Sequence, residues 1–397
     1  MLDVVIVGAG CVGSYLASLL SKEGLTVTVI EKDINVADSV NCSGIIGLDS
    51  FQSFDLPQDI IQSEMKDITV YSPSGCKIHY SPKKTLAYVV DRSRLDRKLF
   101  QNATDEGVSY KMSCSVENIC VHSSGVKLDI NTRGKKEVIK SKICVLASGF
   151  GSKIVEKAGM GRIDNYVQGA QVEAELSGVE NTQIFLGRKV APNFFAWVAP
   201  SGENKCKVGL VSNEKSGSYL KRFLENDFFG KDLNLTSPMK VSLLPMTALQ
   251  KTFSDRLIVV GEAAGQIKPT TFGGIYYGFL CAKIASNTIK KSFEMNKFDE
   301  SILSEYEKKW KEKISSEQAM GMKFLQVFSK MSDNHIDSII NLANRNGLVS
   351  LVDRFFDFDF HSHIIKNLLS KNIWCASSTH FNEEELCAQV HIKLKKK

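Results

Sequence analysis

Gly8, Gly10 and Gly13 stand in the run Gly-Ala-Gly-Cys-Val-Gly, and Glu31 follows 18 residues after Gly13. These types at this spacing can hold a dinucleotide. Gly8 permits a tight turn, Gly10 lets a pyrophosphate approach the backbone at a helix N-terminus, and Gly13 lets helix and strand pack closely. Glu31 can accept hydrogen bonds from both hydroxyls of an adenosine ribose and would repel a 2′-phosphate, which favours FAD or NAD over NADP. A glycine-rich turn of purely structural kind leaves Glu31 unexplained.

Residues 257–275, LIVVGEAAGQIKPTTFGGI, form a second constellation. An apolar run meets small residues, then a Pro-, Thr- and Gly-rich loop, as where a ligand needs close backbone approach. Glu262 can hydrogen-bond a ribityl hydroxyl, and Gly273 and Gly274 can pass under an isoalloxazine ring. A helix beginning at Ile275 would aim its first amides at the ring's pyrimidine end and favour negative charge on a reduced flavin. Arg92, at the start of DRSRLD, either clamps a phosphate or the flavin side chain or caps a helix in solvent. Taken together, these residues point to FAD held at both ends.

The elements that position them follow from pattern. Residues 2–7 read as a strand buried on both faces, 14–20 as helix with Gly24 at its C-cap, and 25–30 as the second strand. Residues 88–99 read as a strand end followed by a helix with Leu95 and Leu99 inward, 143–149 as a buried strand ending in small residues, and 257–260 as another strand. Residues 166–245 alternate apolar and polar in short runs, the pattern of an antiparallel sheet with one face turned to a cavity. On that sheet Phe194, Phe195 and Trp197 either line an apolar tunnel or belong to an ordinary core. Residues 316–372 carry helical spacing, as in Met320, Phe324, Val327 and Phe328, then Ile336, Ile339, Ile340 and Leu342. Tyr306 and Trp310, at i and i+4, read as a packing anchor. His361 and His363 beside Asp357 and Asp359 invite a metal reading, but in an aromatic, helix-entering segment they read as structural, and no metal is expected.

Bulk properties exclude other classes. A net charge of +6 with dispersed basic residues gives no nucleic-acid module. Ten cysteines without a CxxC pair argue against zinc and against a disulfide framework. The chain opens directly in a strand, so no secretory leader fits and a cytoplasmic setting is expected. No apolar run reaches the ~18–20 residues that span a bilayer. Contact with a membrane would be peripheral, at the inner face. The terminal Lys393-Leu394-Lys395-Lys396-Lys397 either touches anionic lipid or is a solvated tail.

These motifs resemble the FAD flavoproteins related to p-hydroxybenzoate hydroxylase, and within them the geranylgeranyl reductases of the archaeal digeranylgeranylglycerophospholipid type. The likeness covers roughly residues 1–315. It is carried by GAGCVG with Glu31, the Asn41-Cys42-Ser43-Gly44 loop, DRSRLD, GEAAGQIKPTTFGGIYYG, and residues 192–200, PNFFAWVAP, which look like that branch's PxxYxWxFP element. Glu262 stands where the wider family usually has Asp, and Phe195 and Ala199 where the branch usually has Tyr and Phe.

The resemblance implies an α/β fold: a Rossmann-like FAD-binding domain at 1–165 and 246–315, an antiparallel-sheet substrate domain at 166–245, and a helical region at 316–397. It implies FAD contacts at Gly8, Gly10, Gly13, Glu31, Cys42, Ser43, Gly44, Arg92, Val116, Glu262, Gly273, Gly274 and Ile275, with Phe195 and Trp197 toward substrate. The activity implied is saturation of isoprenoid double bonds on ether-lipid precursors by hydride from reduced flavin. Cys42 is the candidate proton source, since an ordinary thiol with a pKa near 8.5 is mainly protonated at neutral pH, or else it only packs there. An aromatic hydroxylase of the same fold and a non-catalytic flavoprotein are the alternatives. Hydroxylases of this type resemble one another at an Asp-Gly element that recruits NADPH. Ser148 stands where that Asp is expected, and no arginine follows Ser152, so the electron donor is open between a ferredoxin and a nicotinamide-linked reductase. The WxWxIP element of halogenases is absent.

Overall fold

The fold is given by a computed structural model that describes residues 1–230, 232–345, 352 and 356–370. The lysine-rich terminus lies outside these residues. The chain forms two compact units: Met1–Gln62, Tyr88–Val167 and Ser242–Gln318 make the first, and Ser63–Ala87, Gln168–Val241 and Ala319–Lys397 the second.

The first unit is built on a sheet whose parallel members are Leu257–Val259, Lys135–Leu146, Leu2–Val7, Val27–Ile30 and Ser109–Lys111, in that spatial order. Leu2–Val7, Leu257–Val259 and the 143–146 end of Lys135–Leu146 are near-continuously apolar because the central strands are covered on both faces: Val4, Val5, Ile6, Cys144, Val145 and Leu146 are wholly buried. Register aligns the carboxyl ends. Val7 pairs with Ile30 on one side and Leu146 on the other, and Leu146 pairs with Val259. Gly8, Glu31, Ala147 and Val260 therefore leave the sheet at one edge, where open α/β sheets take their ligands. Two further strands, Cys114–His122 and Gly125–Thr132, extend Lys135–Leu146 as an antiparallel meander.

The first helix starts at Cys11, earlier than the pattern from Ser14 indicates, and runs to Lys22. It packs on helix Ile275–Glu294, with the rings of Tyr15 and Phe279 4.7 Å apart.

The second unit carries an antiparallel run of Tyr166–Glu175, Lys205–Ser212, Phe195–Pro200 and Thr182–Leu186. The short runs expected in this region are strands here. Thr182–Leu186 then pairs in parallel with Ile68–Tyr71, so residues 63–87 group with this sheet. Its core face holds Val172, Phe185, Ala196, Val198, Val208 and Leu210. The helical spacing beyond 316 is realised as the end of helix Glu300–Phe328, helix Asp333–Arg345 and helix Ser362–Ser370. Ile336 and Ile340 form a small core with Met331, Val327 and Phe328.

Candidate active site

The first loop is shaped by steric necessity. Gly8 has φ +110°, and a Cβ there would stand 2.4 Å from the Ala147 carbonyl oxygen. A Cβ on Gly13 would stand 2.0 Å from the Gly8 carbonyl oxygen. Gly10 is the opposite case: a Cβ there would meet nothing within 4 Å. Its hydrogen faces open space, as close approach of a ligand to the backbone requires. The helix that follows has Gly10 as N-cap, no side-chain cap and no acidic residue in its first turn, so its leading amides are free to bind an anion.

Glu31 is half-buried and fixed from its own side. Oε2 accepts the Ala9 amide at 2.7 Å and Oε1 the Asp33 amide at 3.0 Å. A carboxylate offers about four lone-pair sites, so each oxygen keeps one for a ribose hydroxyl.

The second constellation lies at the same sheet edge. The strand ends at Val259, one residue earlier than the apolar run, and a short 3-10 turn Gly261–Ala264 follows. Gly261 and Gly265 both adopt left-handed backbone, with φ +73° and +70°. A Cβ on Gly265 would stand 2.1 Å from the Thr247 carbonyl oxygen. Gly274 caps helix Ile275–Glu294, which again lacks a side-chain cap and first-turn acids. A Cβ on Gly274 would lie 3.5 Å from the Glu262 carboxylate, so Glu262, Gly274 and Ile275 come together. Gly273 passes under the side chain of Lys268, whose Cε would be 2.8 Å from an added Cβ.

Val12 couples the two constellations. It packs where a Cβ on Gly261 would stand 3.3 Å away and one on Gly278 only 2.5 Å away. Gly261 is also required by its left-handed backbone, whereas Gly278 owes its lack of a side chain to the room it makes for Val12.

Arg92 opens helix Arg92–Asp105, whose N-cap Asp91 accepts the Arg94 amide. It is no solvated cap, because its side chain is 10% exposed and paired with Asp96 at 2.8 Å. Burial works against its charge, and Asp96, Cys11 and Cys42 outweigh that, raising its pKa further. Its Nε is buried without a partner. Cys11, at the helix start, lies in the same electrostatic neighbourhood, and burial pushes its thiol up to about 12.

Cys42 and Ser43 are half-buried. The Gly44 amide is directed at the Cys42 sulfur at 3.4 Å, and the Gly44 carbonyl accepts from Val90, which ties the loop to strand Ala87–Val90. Asn41 donates to Ser242 at 2.7 Å. Glu262 is solvent-accessible, yet enough protein surrounds it that burial raises its pKa, with Arg92 pulling the other way. Val116 packs against the apolar core of this unit.

Ser148, passed over as a binding residue in sequence, has a buried Oγ without a partner, and its Cα would be 3.0 Å from a Cβ on Gly8. FAD fits this set. Uncapped helix starts and the unpartnered Arg92 Nε suit a pyrophosphate, and Glu31 has spare lone pairs for ribose.

In the second unit, Phe195 and Trp197 are half-buried on the sheet face opposite the core, with ring centroids 6.0 Å apart. The Trp197 indole crosses Gly209, where a Cβ would stand 2.3 Å from Cζ2, and its Nε1 is buried without a partner. Asp357 closes a turn by accepting the Asp359 and Phe360 amides. Among the described residues no group of three or more His, Cys, Asp or Glu side chains could hold a metal, and no helix is long and apolar enough to cross a membrane.

A family model for an FAD binding domain matches residues 1–275. The chain belongs to this FAD-binding family. It is 31% identical to the digeranylgeranylglycerophospholipid reductase of Methanocaldococcus jannaschii, over 85% of this chain and 89% of that one. With the reductase of that name from Methanococcus vannielii it shares 31% identity, over 87% and 91%. It is thus a member of the digeranylgeranylglycerophospholipid reductase family. The fold is that of a geranylgeranyl bacteriochlorophyll reductase-like protein from Thermoplasma acidophilum, with TM-score 0.84, 21% identity and coverage of 98% and 99%. The halogenase PltM is also similar, with TM-score 0.72, 15% identity and coverage of 99% and 96%. At such identities these likenesses speak for the fold alone.

Proposed function

We infer that this protein is an FAD-dependent reductase that saturates geranylgeranyl double bonds in archaeal-type ether phospholipid precursors. The observation that carries this is likeness to reductases named for that substrate along nearly their whole length, joined to the match of residues 1–275 to an FAD binding domain.

When bound and reduced, FAD supplies the hydride. An isolated alkene has no carbonyl to polarise it, so hydride must reach one carbon and a proton the other in a site that keeps water out. The residues of this chain divide that work. The loop of Gly8, Gly10 and Gly13 receives the pyrophosphate, Arg92 balances its charge, and Glu31 holds the ribose. Ser43, Gly44, Gly273, Gly274 and Ile275 lie along the flavin, with Glu262 on its ribityl chain. Phe195 and Trp197 contact the apolar substrate, whose positioning is the protein's main contribution to rate. Cys42 Sγ supplies the proton to the second carbon. Ser148, in place of an NADPH-recruiting acid, speaks for a separate donor, a ferredoxin or a nicotinamide-linked reductase. A lipid substrate calls for peripheral contact with a membrane surface.

The test is anaerobic. Dithionite-reduced protein is mixed with a geranylgeranyl ether lipid, with flavin absorbance followed and the product analysed by mass spectrometry. Reoxidation with a two-hydrogen mass gain is expected. A flavin reoxidised only by O2 with a phenolic substrate would mean a hydroxylase instead. Cys42→Ser is expected to slow turnover at least tenfold with FAD still bound, and unchanged turnover would remove Cys42 from the chemistry.

A further inference from the structure

Residues 261–267 are buried with one exception, Glu262, whose side chain is exposed. The segment makes backbone hydrogen bonds of its own, Gly265 to the Glu262 carbonyl and Gln266 to the Gly261 carbonyl, and is tied further from outside. It begins and bends at left-handed Gly261 and Gly265, and the loop beyond it contains Phe272 at φ +58°. Among the described non-glycine residues with positive φ, Phe272 is the only buried one. Such backbone persists only where surroundings over-determine it.

Beside the Leu249 amide, which donates to the Ala264 carbonyl, side-chain ties reach the segment from helix Glu300–Phe328, beyond the stretch that matches the FAD-binding family. Tyr306, wholly buried, donates to the Val259 carbonyl at 2.9 Å and accepts from Gln266 Nε2 at 2.8 Å. Gln266, also wholly buried, passes the tie on, its Oε1 accepting the Gly261 amide at 2.8 Å. Gln318 holds the far end, donating to the carbonyls of Gly265 and Ile267 at 2.8 and 3.0 Å. Glu262 lies between the two anchored ends.

We propose that Tyr306 and Gln318, with Gln266 as the link, are positioning residues that present Glu262 and the turn around it to the flavin. The inference rests on the FAD reading of Glu262. Its test uses apoprotein titrated with FAD by quenching of flavin fluorescence, beside the visible circular dichroism of the bound flavin and the melting temperature of the apoprotein. Tyr306→Phe keeps the ring and removes both hydrogen bonds. It is expected to weaken FAD binding about three- to tenfold, the range of a lost buried hydrogen bond, and to alter the flavin dichroism. Gln318→Leu is expected to do the same from the other end, and it decides the matter should Tyr306→Phe not fold. Wild-type affinity and dichroism in either folded variant, with only a lowered melting temperature, would overturn the proposal and leave a plain core contact. Glu262→Gln separates the two readings: if it leaves affinity and spectrum unchanged while Tyr306→Phe does not, the ties position the turn and Glu262 itself is not the contact.

Discussion

The packing of Val12 against Gly278 allows a sharp test of how the two halves of the FAD site are joined. Gly278 sits inside helix Ile275–Glu294, where alanine would ordinarily stabilise by about 1 kcal/mol. A methyl at that position would lie 2.5 Å from Val12 Cγ2, well inside van der Waals contact. Valine is stiff at χ1, so relief must come from backbone movement, and overpacking of this kind costs about 1–3 kcal/mol. Gly278→Ala should therefore be neutral to destabilising by about 2 kcal/mol once the helix gain is subtracted. The movement falls on the first loop, so FAD affinity should drop as well. Val12→Ala removes the methyl in the way, Cγ2, together with Cγ1. When both substitutions are combined, the methyl added to the helix has space, and a denaturant-unfolding cycle should return a favourable coupling of at least about 1 kcal/mol. If Gly278→Ala alone stabilises the apoprotein by the full helix-propensity gain and binds FAD as the wild type does, the two segments are not keyed through Val12.

Gly10→Ala should leave apoprotein stability within about 0.5 kcal/mol, since the new methyl meets no protein atom, yet weaken FAD binding at least tenfold; equal affinity by fluorescence titration would mean the pyrophosphate lies elsewhere. Glu262 gives a pH dependence of known sign. Burial raises its folded-state pKa above the ordinary 4.5, so its contribution to apoprotein stability is fully present below that value and is lost as pH rises through the folded pKa. Melting temperatures across that window should fall less steeply with rising pH in Glu262→Gln than in the wild type, and parallel curves would refute the assignment.

Sequence revealed the parts of the site whose reasons are local. Gly8 and Gly13 are forced by contacts with the next strand end and with the loop itself, and the spacing to Glu31 is that of one helix and one strand. The four runs between 166 and 212 were legible because alternation of apolar and polar residues reports directly on a half-buried sheet. Tyr306 and Trp310 could be recognised as an anchor from their shared helix face. What they anchor could not, since their partners lie in distant sequence: Tyr306 reaches Gln266 and Val259, and Trp310 donates to Thr252 at 2.9 Å. The same is true of Val12, whose space is made by glycines of another segment. The pairing of Ile68–Tyr71 with Thr182–Leu186 was equally hidden, because parallel pairing leaves no turn between the partners to announce it.

The ties from Tyr306 and Gln318 also set an order of events during synthesis. The glycine loop at residues 8–13 is made well before the turn bearing Glu262, and strands Leu2–Val7 and Val27–Ile30 can pair before that turn exists. The turn bearing Glu262 is made much later, and the helix that holds it later still. Until Gln318 has emerged, a nascent chain has the first glycine loop without the hydrogen bonds that Gln318 donates to the Gly265 and Ile267 carbonyls. The turn bearing Glu262 thus gains its last ties only when the chain has been made at least as far as that helix.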